Sequence, residues 1–151
     1  MPKNLRTRLF QTIFRITRPM TLGVRGLVIN AEGQCLLIRH TYTPGWHLPG
    51  GGVEKKEYAE LSLERELVEE AGIVIEGTPI LCGVFSNHSN FPNDHVLLYR
   101  IEYWSQTVAT SKGEIAEAGF FSPESLPSET TPATRRRIDE WQLGKKPSIF
   151  W

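Results

Sequence analysis

The sequence has few of the features that indicate a disulfide scaffold, a zinc cluster or a membrane protein. Only two of its 151 residues are cysteines, Cys35 and Cys82. Both lie in apolar runs, which is typical of small core residues rather than of disulfide partners. Their spacing matches no metal-binding signature. No apolar run approaches the roughly 18 residues that a membrane span needs. We therefore expect no disulfide framework, no zinc site and no membrane partner.

An excess charge of one sign is also lacking, because 17 basic and 17 acidic residues give a formal net charge of zero. No global field then attracts nucleic acid, so we do not expect it as a partner. The chain begins with basic residues and an apolar stretch, but Arg15 and Arg18 interrupt that stretch, and no cleavage site for a targeting peptide follows. A hydrophobic content of 40% is ordinary for a globular chain of about one domain. A cytoplasmic protein is expected.

Residues 1–19 are predicted to form a basic amphipathic N-terminal helix that ends before Pro19. The segment contains five basic residues and no acidic one. One interpretation is that this helix packs on the domain or on a partner subunit, as in a homodimer. The other is a basic surface for a membrane or a nucleic acid. The apolar residues that recur at helical spacing are Leu5, Leu9, Ile13 and Ile16.

Residues 20–143 are predicted to form one domain in which strands and helices alternate. The runs GVRGLVIN and CLLIRHTY, joined by a Glu-Gly turn, predict a β-hairpin. The Pro/Gly-rich segment TPGWHLPGGG predicts a loop. Residues 57–71 contain no glycine or proline and predict a helix that is capped by Gly72.

Further strands are predicted in IVIEGTPILCGVFS, HVLLYRIEYW and EAGFFS, and a closing helix in ATRRRIDEWQ. The three arginines Arg135, Arg136 and Arg137 are expected on a solvated face of that helix. Residues 144–151 form a tail without an assigned structure. Strands that alternate with two or three helices favour an α/β sandwich with a mixed sheet.

The predicted helix over residues 57–71 carries Glu66, Glu69 and Glu70 within an arc of about 100°. Clustered carboxylates repel one another, which raises their pKa values unless a cation is near. Mg²⁺ is typically held by carboxylate and phosphate oxygens. Beside a glycine-rich loop, this face fits a platform for a metal and a phosphate. Glutamate-rich helix surfaces are common, so the helix geometry alone also fits a solvated face.

The order of residue types is more specific than the helix geometry. It resembles the Nudix box, and residues 20–140 resemble a MutT-like Nudix hydrolase. The resemblance implies a Nudix-type α/β/α sandwich with a mixed β-sheet. It also implies an enzyme that uses Mg²⁺, or Mn²⁺ in its place, to hydrolyse a pyrophosphate bond in a nucleoside diphosphate linked to another moiety. The residues that match the box are Gly51, Glu57, Arg65, Glu66, Leu67, Glu69, Glu70, Gly72 and Ile73.

The resemblance also implies roles for the box residues. Glu69 and Glu70 match the main metal ligands, and Glu66 matches a further ligand or the general base. Arg65 matches the arginine that orients the catalytic glutamates, with Glu57 as its ion-pair partner. Gly72 is a structural residue of the motif.

Other ligands of the cation are implied to come from loops. The carbonyl of Gly51, or of its neighbour Gly50, matches a loop oxygen on the metal. Many family members add a carboxylate from a distant loop. Glu114 is our first candidate for it and Glu117 the second.

Candidate substrate contacts lie around the box. Gly50 and Gly52 belong to the loop that approaches the phosphates. Arg25 and Arg39, on the predicted hairpin, are either phosphate contacts or surface charges. The loop residues His88 and Phe91 either line the nucleoside pocket or are solvated. Trp46 is expected to be a core anchor, with stacking on a base as the alternative.

The sequence does not select one nucleotide. The downstream residues that mark ADP-ribose or diadenosine-polyphosphate subgroups are missing near Asn87–Phe91, which leaves a nucleoside triphosphate pyrophosphohydrolase as the default. One alternative is a catalytically silent Nudix-fold regulator that binds nucleotides. Another is an isoprenoid-diphosphate isomerase, for which Cys82 would have to be a pocket residue.

Overall fold

Helices and strands alternate along residues 5–151, the part of the chain that the computed structural model describes. Three α-helices and nine strands are present in this part. A short 3-10 helix, Pro123–Ser125, precedes the last α-helix. The elements are α1 (Leu5–Thr17), β1 (Thr21–Val28), β2 (Cys35–His40), β3 (Trp46–His47), β4 (Gly50–Gly52), α2 (Ala59–Ala71), β5 (Ile73–Ile75), β6 (Ile80–Ser86), β7 (Asp94–Ile101), β8 (Trp104–Gln106), β9 (Ile115–Phe121) and α3 (Pro132–Gln142).

The strands form three small sheets that include both parallel and antiparallel pairs. The largest sheet has the order β4-β1-β7-β6, in which β1 runs parallel to β7 and antiparallel to β4. The second sheet, β3-β2-β9, is antiparallel, and β5 pairs with β8 in the third. This arrangement confirms the predicted α/β class with a mixed sheet.

The predicted hairpin of β1 and β2 is wrong, because the two strands lie in different sheets. Both edges of β1 are occupied, by β4 on one side and by β7 on the other. A single bridge, Ile29 to Cys35, joins the two runs beside the turn. The turn itself exists, since the Gly33 N–H donates to the Asn30 carbonyl over 3.0 Å. Buried apolar runs predict strands but do not identify their partners.

Two apolar clusters on opposite faces of the strands make the core. Val24 and Val28 of β1 pack in one cluster with Leu67 of α2. Leu27 of the same strand packs in the other cluster, with Ile138 of α3. Because successive side chains of a strand point to opposite faces, β1 contributes to both clusters and separates α2 from α3. The result is the expected layered α/β/α arrangement.

Helix α2 positions most of the motif. It begins at Ala59, two residues later than predicted, so Glu57 lies in the turn ahead of it. It ends as predicted at Gly72, which adopts the left-handed conformation with φ 64°. The Gly72 N–H donates to the Val68 carbonyl over 3.0 Å and closes the last turn.

The expectation of a solvated face on α3 is wrong for Arg137, which is only 1% exposed. Its guanidinium lies over the Phe85 ring, with 4.2 Å from Cζ to the ring centroid. It donates to the Glu140 carboxylate over 2.7 Å and to the Phe150 carbonyl over 2.8 Å. The tail folds back onto β6, where Phe150 bridges to Ser86, and it covers a side chain that the helix alone would leave in water.

Helix α1 is present as predicted, but it does not pack on the domain. Within the described residues of the chain, none of its thirteen side chains from Leu5 to Thr17 is buried. The predicted start of the helix, before Leu5, lies outside the described residues. In residues 5–151 no helix combines the length and the apolar character required to traverse a membrane.

We predict that Gly72→Ala destabilises the domain much more than Gly33→Ala. Both glycines have a positive φ, 64° and 75°. A Cβ at Gly72 would lie 2.2 Å from the Thr107 carbonyl oxygen, whereas at Gly33 it would meet nothing within 4 Å. We expect a loss of about 1 kcal/mol in the free energy of unfolding for Gly33→Ala and about 2–4 kcal/mol for Gly72→Ala. Equal losses in urea unfolding would contradict this account of the cap.

Candidate active site

The glycine-rich segment before α2 is not the continuous loop that the sequence predicts, because it contains the short strands β3 and β4. Its part from Gly50 to Gly52, called the loop of the site, contacts the helix through Glu70. This side chain is only 7% exposed, and its Oε2 accepts a hydrogen bond of 2.7 Å from the Gly50 N–H. Gly50 has a φ of 145°, and a Cβ at this position would lie 2.0 Å from the Val24 carbonyl oxygen. Only glycine therefore lets the loop pass between β1 and the carboxylate of Glu70.

Gly51 lies against the second glutamate of the platform. A Cβ built on it would lie 2.2 Å from Oε1 of Glu66. The carboxylate therefore occupies the space that any side chain at this position would fill. This close approach is the physical reason for a glycine at the first position of the motif.

Arg65 connects the acidic residues of the motif. Its Nε donates to Glu57 over 2.9 Å, so the predicted ion pair is present. Its Nη1 lies 2.8 Å from a carboxylate oxygen of Glu66 and 3.5 Å from one of Glu69. Its Nη2 donates to the Gly52 carbonyl over 3.2 Å. One guanidinium thus ties the turn, the loop and two glutamates of the helix together.

The acids of the site have pKa values shifted in opposite directions. The hydrogen bond from Arg65, with a second one from Ser62, lowers the pKa of Glu57 to about 2. Burial raises the pKa of Glu70 to about 7, against the Gly50 N–H and the charge of Arg25. Burial also raises the pKa of Glu66, although Arg65 opposes the shift. Glu57 is neutralised by its partner, whereas Glu70 lacks sufficient positive charge around it.

The donor set fits a hard divalent cation in its chemistry. Glu66, Glu69 and Glu70 offer carboxylate oxygens only, and the desolvated Glu70 would gain from a cation. Among residues 5–151, however, no group of three or more His, Cys, Asp or Glu side chains is already arranged as a metal site. Glu66 and Glu69 point to Arg65 instead. Metal binding would therefore require these two side chains to turn away from the guanidinium.

Of the two loop carboxylates considered, Glu114 lies nearer to the glutamate platform. Its negative charge contributes to the raised pKa of Glu70. The Thr41 N–H donates to the Glu114 carbonyl over 2.9 Å and holds this loop beside the end of β2. Glu117 lies within β9, directly opposite Arg39 of β2, and the two side chains form an ion pair of 2.5 Å. Arg39 is held by this ion pair, and it does not line the cavity of about 380 Å³ that opens beside the loop.

His40 is a residue of the site that the sequence did not identify. Its Nε2 lies 3.8 Å from Oε1 of Glu70, and its side chain is 11% exposed. Burial lowers its pKa, and the charge of Arg25 lowers it further. The imidazole is therefore neutral at neutral pH. No motif marks this histidine, because only the pairing of β2 with β9 brings it under α2.

A cavity of about 380 Å³ opens beside the loop. Arg25 borders it and also donates to the carbonyls of Leu48 and Gly50 over 3.0 Å each. Phe91 lines it as predicted, and Trp151 of the tail is a wall that the sequence did not identify. His88 does not line it, because its ring nitrogen accepts the Asn93 N–H. The residues around the cavity are Thr21, Leu22, Gly23, Arg25, Gly51, Gly52, Asn87, Phe91, Asp94, Val96 and Trp151.

Trp46 and Cys82 both lie away from the glutamates of α2. Trp46 packs edge-on against Phe121, with ring centroids 4.9 Å apart, in keeping with the expected core anchor. Cys82 is partly buried and lines a separate cavity of about 360 Å³ that none of the glutamates of α2 borders. This placement disfavours the isomerase alternative.

Comparison with known proteins identifies the family. The NUDIX domain profile matches residues 19–142. A Bacillus subtilis (strain 168) protein, described provisionally as an 8-oxo-dGTP diphosphatase, is 31% identical over 124 residues, which are 82% of this chain and 81% of that protein. The NAD-capped RNA hydrolase NudC of Chromobacterium violaceum is 30% identical over 109 residues, which are 70% of this chain but only 40% of that enzyme.

The solved structures agree with this result. The crystal structure of a MutT NUDIX hydrolase from Burkholderia pseudomallei has a TM-score of 0.69 and 26% identity to this chain. The match covers 81% of this chain and 98% of that one. Residues 19–142, which the family profile matches, contain the whole glutamate-bearing helix and the loop that it contacts. This chain therefore belongs to the Nudix family.

Proposed function

We propose that the protein is a Mg²⁺-dependent hydrolase. It cleaves the pyrophosphate linkage of a nucleoside diphosphate joined to another moiety, which in a nucleoside triphosphate is the terminal phosphate. The observation that carries the proposal is the Glu70 carboxylate, which is buried, short of positive charge and hydrogen-bonded to the loop at Gly50. The cavity bordered by Gly51, Gly52 and Arg25 opens at the same loop. The carboxylates of α2 and a stretch of backbone that a phosphate could approach therefore lie at the same place.

The chain's own residues would hold the cation and orient it. Glu69, Glu70 and a carbonyl of the Gly50–Gly51 loop would supply oxygen ligands, with Glu66 as either a further ligand or the general base and Glu114 as an added carboxylate. Mn²⁺ would be accepted by the same donors. When bound, the cation supplies charge neutralisation of the phosphates and a lower pKa for a water molecule.

A carboxylate close to the loop would accept the proton of the attacking water. Glu66 lies against Gly51, and burial raises its pKa, which suits a group that accepts a proton from water near neutral pH. Arg65 acts as a positioning residue, because it fixes the Glu66 carboxylate and anchors itself on Glu57. The water would attack phosphorus in line with the leaving oxygen.

The cavity supports a nucleotide substrate through two kinds of contact. Arg25 places a cation beside Gly51 and Gly52, where a phosphate would lie. Phe91 and Trp151 offer aromatic faces to a base. The similar proteins are described as acting on an oxidised deoxynucleoside triphosphate and on NAD-capped RNA, so both small nucleotides and dinucleotide ends are reasonable substrates to test.

The decisive experiment is a screen of nucleotides, dinucleotides and nucleotide sugars with Mg²⁺ or Mn²⁺, with the products identified by mass spectrometry. Metal-dependent release of a nucleoside monophosphate from one of them would support the proposal. Nucleotide binding without any product under all conditions would instead favour the silent regulator.

We predict that Glu70→Gln lowers turnover of the substrate found in the screen at least about a hundredfold. The amide keeps the size of the side chain and can still accept the Gly50 hydrogen bond, but it removes the charge that would hold the cation. Glu64→Gln, on the exposed side of the same helix, is the matched control and should keep full turnover. Near-normal turnover of a folded Glu70→Gln variant would refute the role of Glu70.

The raised pKa of Glu70 predicts a pH-dependent affinity for Mg²⁺. Below about pH 7 the buried carboxyl holds a proton that the cation must displace. The affinity should therefore fall up to about tenfold for each pH unit below that value. Titration calorimetry in buffers of different ionisation enthalpy measures the released proton. The same pH dependence in Glu70→Gln would assign the proton to another group.

We predict that Phe91→Ala raises KM about tenfold with little change in kcat, because an aromatic face beside the base contributes binding rather than chemistry. Phe91 is 55% exposed, so the truncation should not unfold the domain. Tyr103→Ala, at a 72% exposed aromatic residue outside the cavity, is the control. An unchanged KM would exclude Phe91 from the substrate site.

A further inference from the structure

We propose that α1 binds flat on an anionic lipid surface, and that this contact holds the catalytic domain beside a membrane. The proposal concerns a part of the molecule outside the proposed active site. It also replaces the expectation from the sequence that the protein has no membrane partner.

In the described part of the chain, none of the apolar side chains of α1 is buried, and the aromatic contacts of Phe14 are with Phe10 of the same helix and with the guanidinium of Arg18. All six are exposed, between 45% for Ile13 and 81% for Leu5. On a wheel of about 100° per residue they cover one half of the helix, with Arg6 and Thr17 among them. A 13-residue helix without tertiary packing is only marginally stable in water. It needs a surface that covers its apolar half, whose members are Leu5, Leu9, Phe10, Ile13, Phe14 and Ile16.

The opposite half of the helix carries positive charge only. Arg8 and Arg15 lie on it with threonine and glutamine, and Arg18 follows the helix with its guanidinium 5.0 Å from the centre of the Phe14 ring. Residues 1–19 contain no acidic residue. The rest of the chain has 12 basic and 17 acidic residues, because five of the 17 basic ones belong to this segment. Basic charge is therefore concentrated in residues 1–19, which include α1, while the chain as a whole is neutral.

This basic surface continues onto the domain. Arg15 of α1 lines a cavity of about 520 Å³ together with Lys55 and Lys56, which lie in the turn before α2. All three lining residues are cations, so the cavity is complementary to an anionic headgroup. The same turn contains Glu57, the partner of Arg65. The surface formed by Arg15, Lys55 and Lys56 therefore lies close to the start of α2.

The combination of an apolar half and a cationic half selects the lipid surface. The interface of an anionic bilayer takes up apolar side chains and attracts arginines at the same time. A nucleic acid would neutralise the arginines but leave six large apolar side chains in water. A second copy of α1 could cover the apolar half, but it would bring two helices of like charge together.

The test is sedimentation of the full chain with vesicles of phosphatidylcholine mixed with phosphatidylglycerol, and with vesicles of phosphatidylcholine alone. We expect binding to the anionic vesicles, weakening at high salt, and little binding to the neutral ones. Circular dichroism should show a gain of helix on the anionic vesicles.

Two double variants separate the two halves of the helix. Phe10→Ser with Phe14→Ser should lower the partition coefficient at least about a hundredfold. Arg8→Gln with Arg15→Gln should lower it about thirtyfold. Lys145→Gln with Lys146→Gln, at exposed residues of the tail, removes the same charge and should change it little. All three variants should unfold at the same temperature as the parent protein, because the altered side chains are exposed.

Three outcomes would overturn the proposal. The first is no binding to anionic vesicles, or a loss of binding that is as large in the tail control as in the helix variants. The second is a dimer in sedimentation equilibrium that the Phe10/Phe14 variant abolishes. The third is binding of single- or double-stranded nucleic acid that is lost in the Arg8/Arg15 variant and kept in the Phe10/Phe14 variant.

Discussion

The hydrogen bond from the Gly50 N–H to the buried carboxylate of Glu70 is the contact on which the site depends. It joins the loop, which β1 holds through β4, to α2, which the core holds through Leu67. The loop can reach the carboxylate only because Gly50 adopts a φ of 145° beside the Val24 carbonyl. Core packing on one face of α2 therefore determines where the acids on its other face meet the loop.

A second constraint is the shortage of positive charge around these acids. Arg65 pairs with Glu57 and also contacts Glu66 and Glu69, so little of its positive charge is left for these two glutamates. Glu70 receives the Gly50 N–H and the more distant charge of Arg25, and burial keeps its pKa near 7. A protein without function would gain stability from an apolar residue at this position. Under the proposed function, a bound cation would supply the positive charge that this buried acid lacks.

The remaining surfaces divide the molecule by charge. The domain is acidic as a whole, and the cavity bordered by Gly51 and Gly52 lies at the loop between β1 and α2. The basic helix α1 is outside the region that matches the family and has its apolar half in solvent. Because Arg15 and the Lys55–Lys56 turn line one cavity, the two parts meet near the start of α2. With α1 bound to a membrane as proposed, this helix would determine the location of the enzyme without taking part in its chemistry.

The sequence alone indicated the family, a helix within residues 57–71 with its cap at Gly72, the shared face of Glu66, Glu69 and Glu70 and, through the family resemblance, the pair of Arg65 with Glu57. These features depend on helical periodicity and on short, fixed spacings, which a linear pattern records. Tertiary structure alone decided that β1 and β2 enter different sheets, that Arg137 is buried, and that His40 and Trp151 border the site. It also favoured Glu114 over Glu117 as the loop acid that acts on Glu70. Those results depend on which distant segments pair or fold back, and the apolar runs that drive the pairing do not specify their partners.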